Sequence, residues 1–200
     1  MNIHRLFPVS VYQTSFIRDY NNEEITLVED LLQDTKQNEF NVFSKNTEVL
    51  DSSETFKDLK EFIQVHINQY TSQIYGFGRK QKAYVTQSWL NLNKTGDKHH
   101  LHSHPNSFIS GVLYINCNEK DSICFKNPLI ANQFAVQVGL ENSSLLDYIF
   151  LKLKTGDLVL FPSWLEHKVQ ENQYDTPRIS LSFNTFFEGE FATKESLSYI

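Results

Sequence analysis

The spacing of apolar residues changes near residue 80, and that change constrains the fold more than any other property of the chain. Upstream, Ile25, Val28, Leu31 and Leu32 make one helical stripe. Asn21 or Asn22 can cap that helix, and Glu23 and Glu24 suit its first turn, where the backbone dipole favours negative charge. A second helix starts near Asp51-Ser52-Ser53-Glu54. Phe56, Leu59, Phe62, Ile63, Ile67, Tyr70 and Ile74 keep helical spacing to about residue 75. Residues 3–15 read as an opening strand. From residue 82 onward short β-type runs follow one another, at 83–93, 99–104, 109–116, 133–139, 147–153, 157–161, 166–170 and 178–187. Turn signals divide them at Thr95-Gly96-Asp97, Asn116 to Asp121, Thr155-Gly156-Asp157 and Asn172 to Pro177. Two helices and then about eight strands predict a mainly β fold with α elements: a jelly roll carrying its N-terminal helices on one face. No linker or repeat divides the 200 residues, so one domain over 1–200 is expected, with helical support at about 21–75 and a β core at about 82–190.

Bulk properties narrow the function. A net charge of -6 leaves no basic excess to neutralise phosphates, which argues against a nucleic-acid binder. No run approaches the roughly 18 apolar residues of a membrane span. The start, Met1-Asn2-Ile3-His4-Arg5-Leu6, lacks signal-peptide organisation, and a cytoplasmic location is expected. Cys117 and Cys124 are too few for a disulfide framework and read as free, dispensable thiols. The oligomeric state is left open, a homodimer included.

Chemistry concentrates in the histidines. The chain has seven, and five of them lie in His99-His100-Leu101-His102-Ser103-His104 and in Ser163-Trp164-Leu165-Glu166-His167. Imidazole is the commonest ligand for a borderline metal. Histidines at i and i+2 on a strand share a face, so the pair is His100 with His102 or His102 with His104. A regular strand turns His99 away from all three. The apolar run Leu158-Val159-Leu160-Phe161 enters the core, and the next strand can aim His167 inward as the third ligand; Glu166 then faces the other side. Arg178 follows after one turn and shares a face with Ser180. A guanidinium with a neighbouring hydroxyl suits a carboxylate, because the planar fork bonds both oxygens. Without that company each of these residues has a plain role, as a solvated turn, a hydrogen-bonded core histidine or a salt bridge.

Several segments taken together resemble the 2-oxoglutarate–Fe(II) oxygenases of microbial and phage genomes, a prolyl-4-hydroxylase-like branch. They are Leu6-Phe7-Pro8-Val9, Gln87-Ser88-Trp89-Leu90-Asn91, His102-Ser103-His104-Pro105-Asn106-Ser107, Ser110-Gly111-Val112-Leu113-Tyr114, Gly156-Asp157-Leu158-Val159-Leu160-Phe161-Pro162-Ser163 to His167, and Arg178-Ile179-Ser180. The resemblance implies a double-stranded β-helix, Fe(II), 2-oxoglutarate and O2, and a hydroxylase acting on an amino-acid side chain, peptidyl or free, or on another small metabolite. It implies His102, His104 and His167 as metal ligands, and Arg178 on the distal carboxylate, assisted by Ser180 and within reach of Tyr114. Trp89, Asn91 and Trp164 are expected at the substrate mouth, with core packing the other role open to the tryptophans. One departure is His104, where most such enzymes carry Asp or Glu. Either His104 completes a facial set of three imidazoles, or it turns away and leaves a position for water or, in halogenating relatives, a halide. A cupin-like metal-binding module without oxygenase activity is the alternative function, and it needs no anchor at Arg178.

Overall fold

A computed structural model of the chain describes residues 8–129, 146–191, 195 and 198–199. Among them are two helices, α1 (Asn22–Leu31) and α2 (Lys57–Tyr75), and twelve strands: β1 (Tyr12–Ser15), β2 (Thr35–Gln37), β3 (Val42–Ser44), β4 (Gln81–Asn93), β5 (His99–His102), β6 (Ile109–Asn116), β7 (Ser122–Lys126), β8 (Tyr148–Lys152), β9 (Asp157–Pro162), β10 (His167–Val169), β11 (Arg178–Phe191) and β12 (Ser198–Tyr199). The strands form two sheets. The major one runs β1-β9-β6-β11-β4-β3-β2, with β12 on β11, and the minor one runs β5-β10-β7-β8. All pairings between named strands are antiparallel.

The major sheet is covered on both faces, which is why β6 and β9 read as nearly unbroken apolar runs rather than alternating ones. Leu113, Leu158, Leu160, Leu181 and Phe183 pack towards the helices, against Phe56, Leu59, Ile63 and Ile67. Their strand neighbours Val112, Tyr114, Val159 and Phe161 face the other way and meet Ile123 and Phe125 of the minor sheet. Three layers result: helices, major sheet, minor sheet. Asn21 is the cap of α1. Its side chain accepts from the Glu24 amide, and the Glu24 carboxylate accepts from the Asn21 amide. Gly76 closes α2 in the left-handed conformation (φ 69°) that favours glycine.

Several boundaries differ from the sequence reading. The segment before α2 is two short 3-10 turns, Val49–Asp51 and Glu54–Phe56. The hairpin β2–β3 and the strand β7 were not anticipated. They are three to five residues long, too short to display a period. Of the expected opening strand only Tyr12–Ser15 is strand among the described residues, and the run at 133–139 lies outside them. Ile25, assigned to the buried stripe of α1, is exposed, whereas Val28 is buried.

The close approach of β6 and β11 requires Gly111. A Cβ there would lie 2.1 Å from Phe183 Cζ and 2.8 Å from Leu160 Cδ2, both fully buried side chains. Gly111→Ala is expected to cost about 1–3 kcal/mol through overpacking. A urea titration checks this, and an unshifted midpoint would show that the ring can retreat.

Candidate metal centre

Strand pairing brings the histidines together. β5 and β10 are neighbours in the minor sheet, with His102 opposite His167. His104 lies just past β5, where its amide donates to the Ser163 carbonyl at 2.8 Å and pins the loop. The three rings converge, with centroids 4.3 Å apart for His102–His167, 5.0 Å for His102–His104 and 5.2 Å for His104–His167. Their candidate ligand nitrogens all lie within 4.8 Å of one another, a spread that one metal ion can span. Of the two pairs open on sequence grounds, His102 with His104 is the one assembled. His104 is turned inward. His100 is half-exposed beside the Glu39 carboxylate, 3.6 Å away.

The hydrogen bonds select a tautomer. His102 Nδ1 lies 2.8 Å from the His100 carbonyl, and His167 Nδ1 lies 2.9 Å from the Leu165 carbonyl. A carbonyl oxygen only accepts, so each Nδ1 carries the proton and each Nε2 keeps its lone pair for a metal. Burial acts in the same direction. It holds His102 and His167 below the usual histidine value and lowers His104 to about 4, with the neighbouring imidazoles adding to the effect on His104 and His167. Neutral imidazole is the ligating form.

His99 corrects the sequence reading. A regular strand would turn it away, yet its ring lies 4.3 Å from that of His102. The register explains this: His102 pairs with His167 and His99 with Val169, so three steps on β5 match two on β10. The extra residue is a bulge, and it puts His99 and His102 on one face. Burial first, and then the His102 and His100 rings, lower His99 to about 3.

The folded values of these histidines lie below that of an unfolded chain, about 6.5. Below pH 6.5 the unfolded chain therefore binds protons that the folded chain refuses. Their contribution is level above pH 6.5 and turns against folding as pH falls from 6.5 towards 4. The urea midpoint of metal-free protein is expected to drop over that window; a midpoint that rises on acidification contradicts the burial of these rings.

Two facing strands make the floor of the site. Gln87, Trp89, Asn91 and Asn93 share one face of β4, and Arg178, Ser180, Ser182 and Asn184 share one face of β11. They pair across the ladder as Asn93 with Arg178, Asn91 with Ser180, Trp89 with Ser182 and Gln87 with Asn184. Ile179 and Leu181 pack on the helix side, as the inward orientation of Arg178 requires. At one end an inner chamber lies between the histidines and Asn93, Tyr114, Arg178 and Ser180. Its free space is about 30 Å3, room for one water-sized body. Two polar atoms here are buried without a hydrogen-bond partner, Tyr114 Oη and Asn93 Nδ2. Buried polar groups are rarely left so, because each costs about 1–3 kcal/mol. At the other end an outer chamber of about 330 Å3 extends from His99, His100, His102, His104, Trp89 and Asn91 to Asn38, Phe43, Gln87 and Asn184.

Arg178 has a partner that the sequence reading missed. Nη1 lies 2.6 Å from Asp121 Oδ1, and Nη2 donates to the Gln170 carbonyl at 2.9 Å. Both charges are buried, with side chains 2% and 5% exposed. Asp121 ends a segment read as a turn, and that label hid a carboxylate aimed at the core. Trp89 lines both chambers. Trp164, expected beside it, is 57% exposed and lines neither. Cys117 and Cys124 are free thiols; burial pushes Cys117 up to about 12 and raises Cys124. No helix among the described residues is long and apolar enough to cross a membrane.

Residues 87–184, the stretch that holds the three converging histidines, Tyr114, Asp121 and Arg178, match the model of a family described as "Putative 2OG-Fe(II) oxygenase". No curated protein sequence matches. Solved structures of similar fold include the non-heme α-ketoglutarate-dependent epimerase SnoN from nogalamycin biosynthesis, at TM-score 0.65 and 12% identity over 90% of this chain and 80% of that one. HygX from Streptomyces hygroscopicus, solved with nickel, 2-oxoglutarate and hygromycin B bound, aligns at TM-score 0.58 and 12% identity over 88% and 82%. A prolyl-4-hydroxylase from Pseudomonas putida aligns at 0.54 and 14% over 88% and 92%. At these identities the likeness to each structure is one of fold, and it places the two sheets among the double-stranded β-helices.

Proposed function

Residues 87–184 place this chain among the 2-oxoglutarate–Fe(II) oxygenases, and on that premise we propose that it hydroxylates a C–H bond of a small molecule or a side chain. The observation that carries this is the convergence of His102, His104 and His167 beside a chamber holding Arg178 and the unpartnered Tyr114 hydroxyl. The donor set fits Fe(II): three neutral imidazoles on one side, two of them fixed through Nδ1 by backbone carbonyls. With 2-oxoglutarate, bound iron supplies activation of O2 for C–H oxidation.

The chain's own residues do the positioning. His102, His104 and His167 hold the metal. Arg178 and Tyr114 receive the distal carboxylate, with Ser180 next to them, and a hydroxyl that has no partner in the fold gains one when the anion arrives. The 30 Å3 of free space admits a five-carbon diacid only as the lining side chains draw back. Trp89 and Asn91 flank the substrate.

A second reading rests on Asp121. Arg178 already has its charge matched at 2.6 Å, and a cupin-like metal site needs no dicarboxylate. Anaerobic calorimetry separates the two. The oxygenase reading requires saturable 2-oxoglutarate binding that depends on Fe(II) or Ni(II), together with succinate release in air. Metal binding without either supports the cupin-like module.

A further inference from the structure

The outer chamber shares His99, His102 and His104 with the co-substrate end but differs in chemistry. The inner end carries a buried ion pair. Among the described residues that line the outer end, about 330 Å3, there is no Asp, Glu, Lys or Arg. A charged ligand would meet amides, aromatic rings and imidazoles there rather than a side chain of opposite formal charge. A free amino acid, with two charges, is thereby disfavoured.

What the wall offers is a set of amides already fixed in orientation. Asn91 Nδ2 donates to Ser182 Oγ at 2.9 Å, so its oxygen remains to accept. Asn38 Nδ2 lies 3.0 Å from Asn41 Oδ1 and 3.1 Å from His99 Nε2, which again leaves the oxygen. Asn184 is the reverse case: its Oδ1 accepts from Ser110 Oγ at 2.9 Å, and its NH2 remains to donate. Gln87 stands beside Asn184 across the ladder. Fixed neutral acceptors next to fixed neutral donors match a group that both donates and accepts at neighbouring positions. Hydroxyls do this; carboxylates only accept and ammonium groups only donate. Trp89 supplies a flat face between these amides and the metal group, its ring centroid 6.0 Å from that of His104. The volume is at the small end of ligand cavities, which run from about 300 to 1,000 Å3, and suits a ring rather than a length of chain.

We propose that the outer chamber is the substrate site and that it takes a neutral, polyhydroxylated ring, a sugar or glycosyl group, seated on Trp89 and hydrogen-bonded by Asn38, Gln87, Asn91 and Asn184. This rests on the oxygenase reading and adds the substrate class to it.

The chain has two tryptophans, and Trp164 is outside both chambers, so Trp164→Phe leaves Trp89 as the sole indole reporter. On that background, loaded with Ni(II), methyl pyranosides should change Trp89 emission saturably. They should bind at least tenfold more tightly than N-acetylproline amide or free proline. Gln87→Ala and Asn184→Ala should each weaken binding about tenfold, the loss of roughly 1.4 kcal/mol. Gln87 is exposed on its strand, so its variant is insulated from folding defects. Preference for the proline compounds, no saturable response to any pyranoside, or unaltered binding in both variants overturns the proposal. Metal content and 2-oxoglutarate calorimetry on the same protein keep the two readings apart. If these are intact and pyranosides fail, the substrate class is wrong; if these fail, the oxygenase reading is wrong.

Discussion

His167→Asn should reduce divalent-metal affinity by at least a hundredfold while the protein stays folded. Loss of groups that merely orient a ligand costs about 10- to 100-fold, so loss of a ligand should cost no less. Asn keeps a polar group in a site whose native side chain is 3% exposed, which limits the cavity left behind. His102→Asn should behave alike. His100→Ala is the contrasting case: half-exposed beside Glu39 and outside the converging set, it should leave metal content at the parental level. His104→Ala reads out the departure from the usual carboxylate. Elemental analysis after gel filtration, with circular dichroism as the folding control, decides all four. Full metal in His167→Asn, or its loss in His100→Ala, would mean that the wrong histidines have been assigned.

The largest effect on stability should come from Asp121. Asp121→Asn leaves the Arg178 cation buried with only the Gln170 carbonyl and a neutral amide as company. Breaking one side of a buried pair costs about 3–5 kcal/mol. For a chain of 200 residues that corresponds to a fall in Tm of about 6–20 °C. Removing both charges, as Asp121→Leu with Arg178→Met, should recover most of the loss, because two apolar side chains need no partner. The pair also bears on the co-substrate. If Arg178 receives a carboxylate, an added dicarboxylate can replace the one removed. Saturating 2-oxoglutarate with Ni(II) should then raise the Tm of Asp121→Asn by more than it raises that of the parent. Equal shifts would place the diacid elsewhere, and no destabilisation at all would deny that the pair is buried.

The parts of this site legible in sequence are those that obey a strict period of two. His102 and His104, Arg178 and Ser180, and the split between Ser180 facing in and Leu181 facing the helices follow from regular alternation along β11 and at the end of β5. His99 was illegible because a bulge, a property of the pairing between two strands, reverses its face. Asp121 was illegible because it follows Asn118, Glu119 and Lys120, so composition marks a loop, and only the pairing of β7 with β10 carries it to Arg178. Trp164 is the opposite lesson: aromatic and close to a ligand in sequence, it sits at the outside of the link between β9 and β10. The short hairpin β2–β3 contributes Asn38 and Phe43 to the outer chamber's rim, and three-residue strands carry no detectable period.

The β4–β11 ladder works as a ruler. Its register runs unshifted from Arg178 opposite Asn93 to Asn184 opposite Gln87, and slips only after Asn184. Six residues at about 3.3 Å each span roughly 20 Å, so the anionic mark and the amide mark stand at a separation fixed by backbone hydrogen bonds, with the metal group over the middle. Side chains at the amide mark can be exchanged one rung at a time to suit another substrate without moving the anionic mark. Inserting a single residue into either strand has no such latitude: every rung beyond it would show its opposite face, turning Arg178 or Asn184 into the helix layer. The slip after Asn184 falls at the edge of the site, where the graduations are no longer needed.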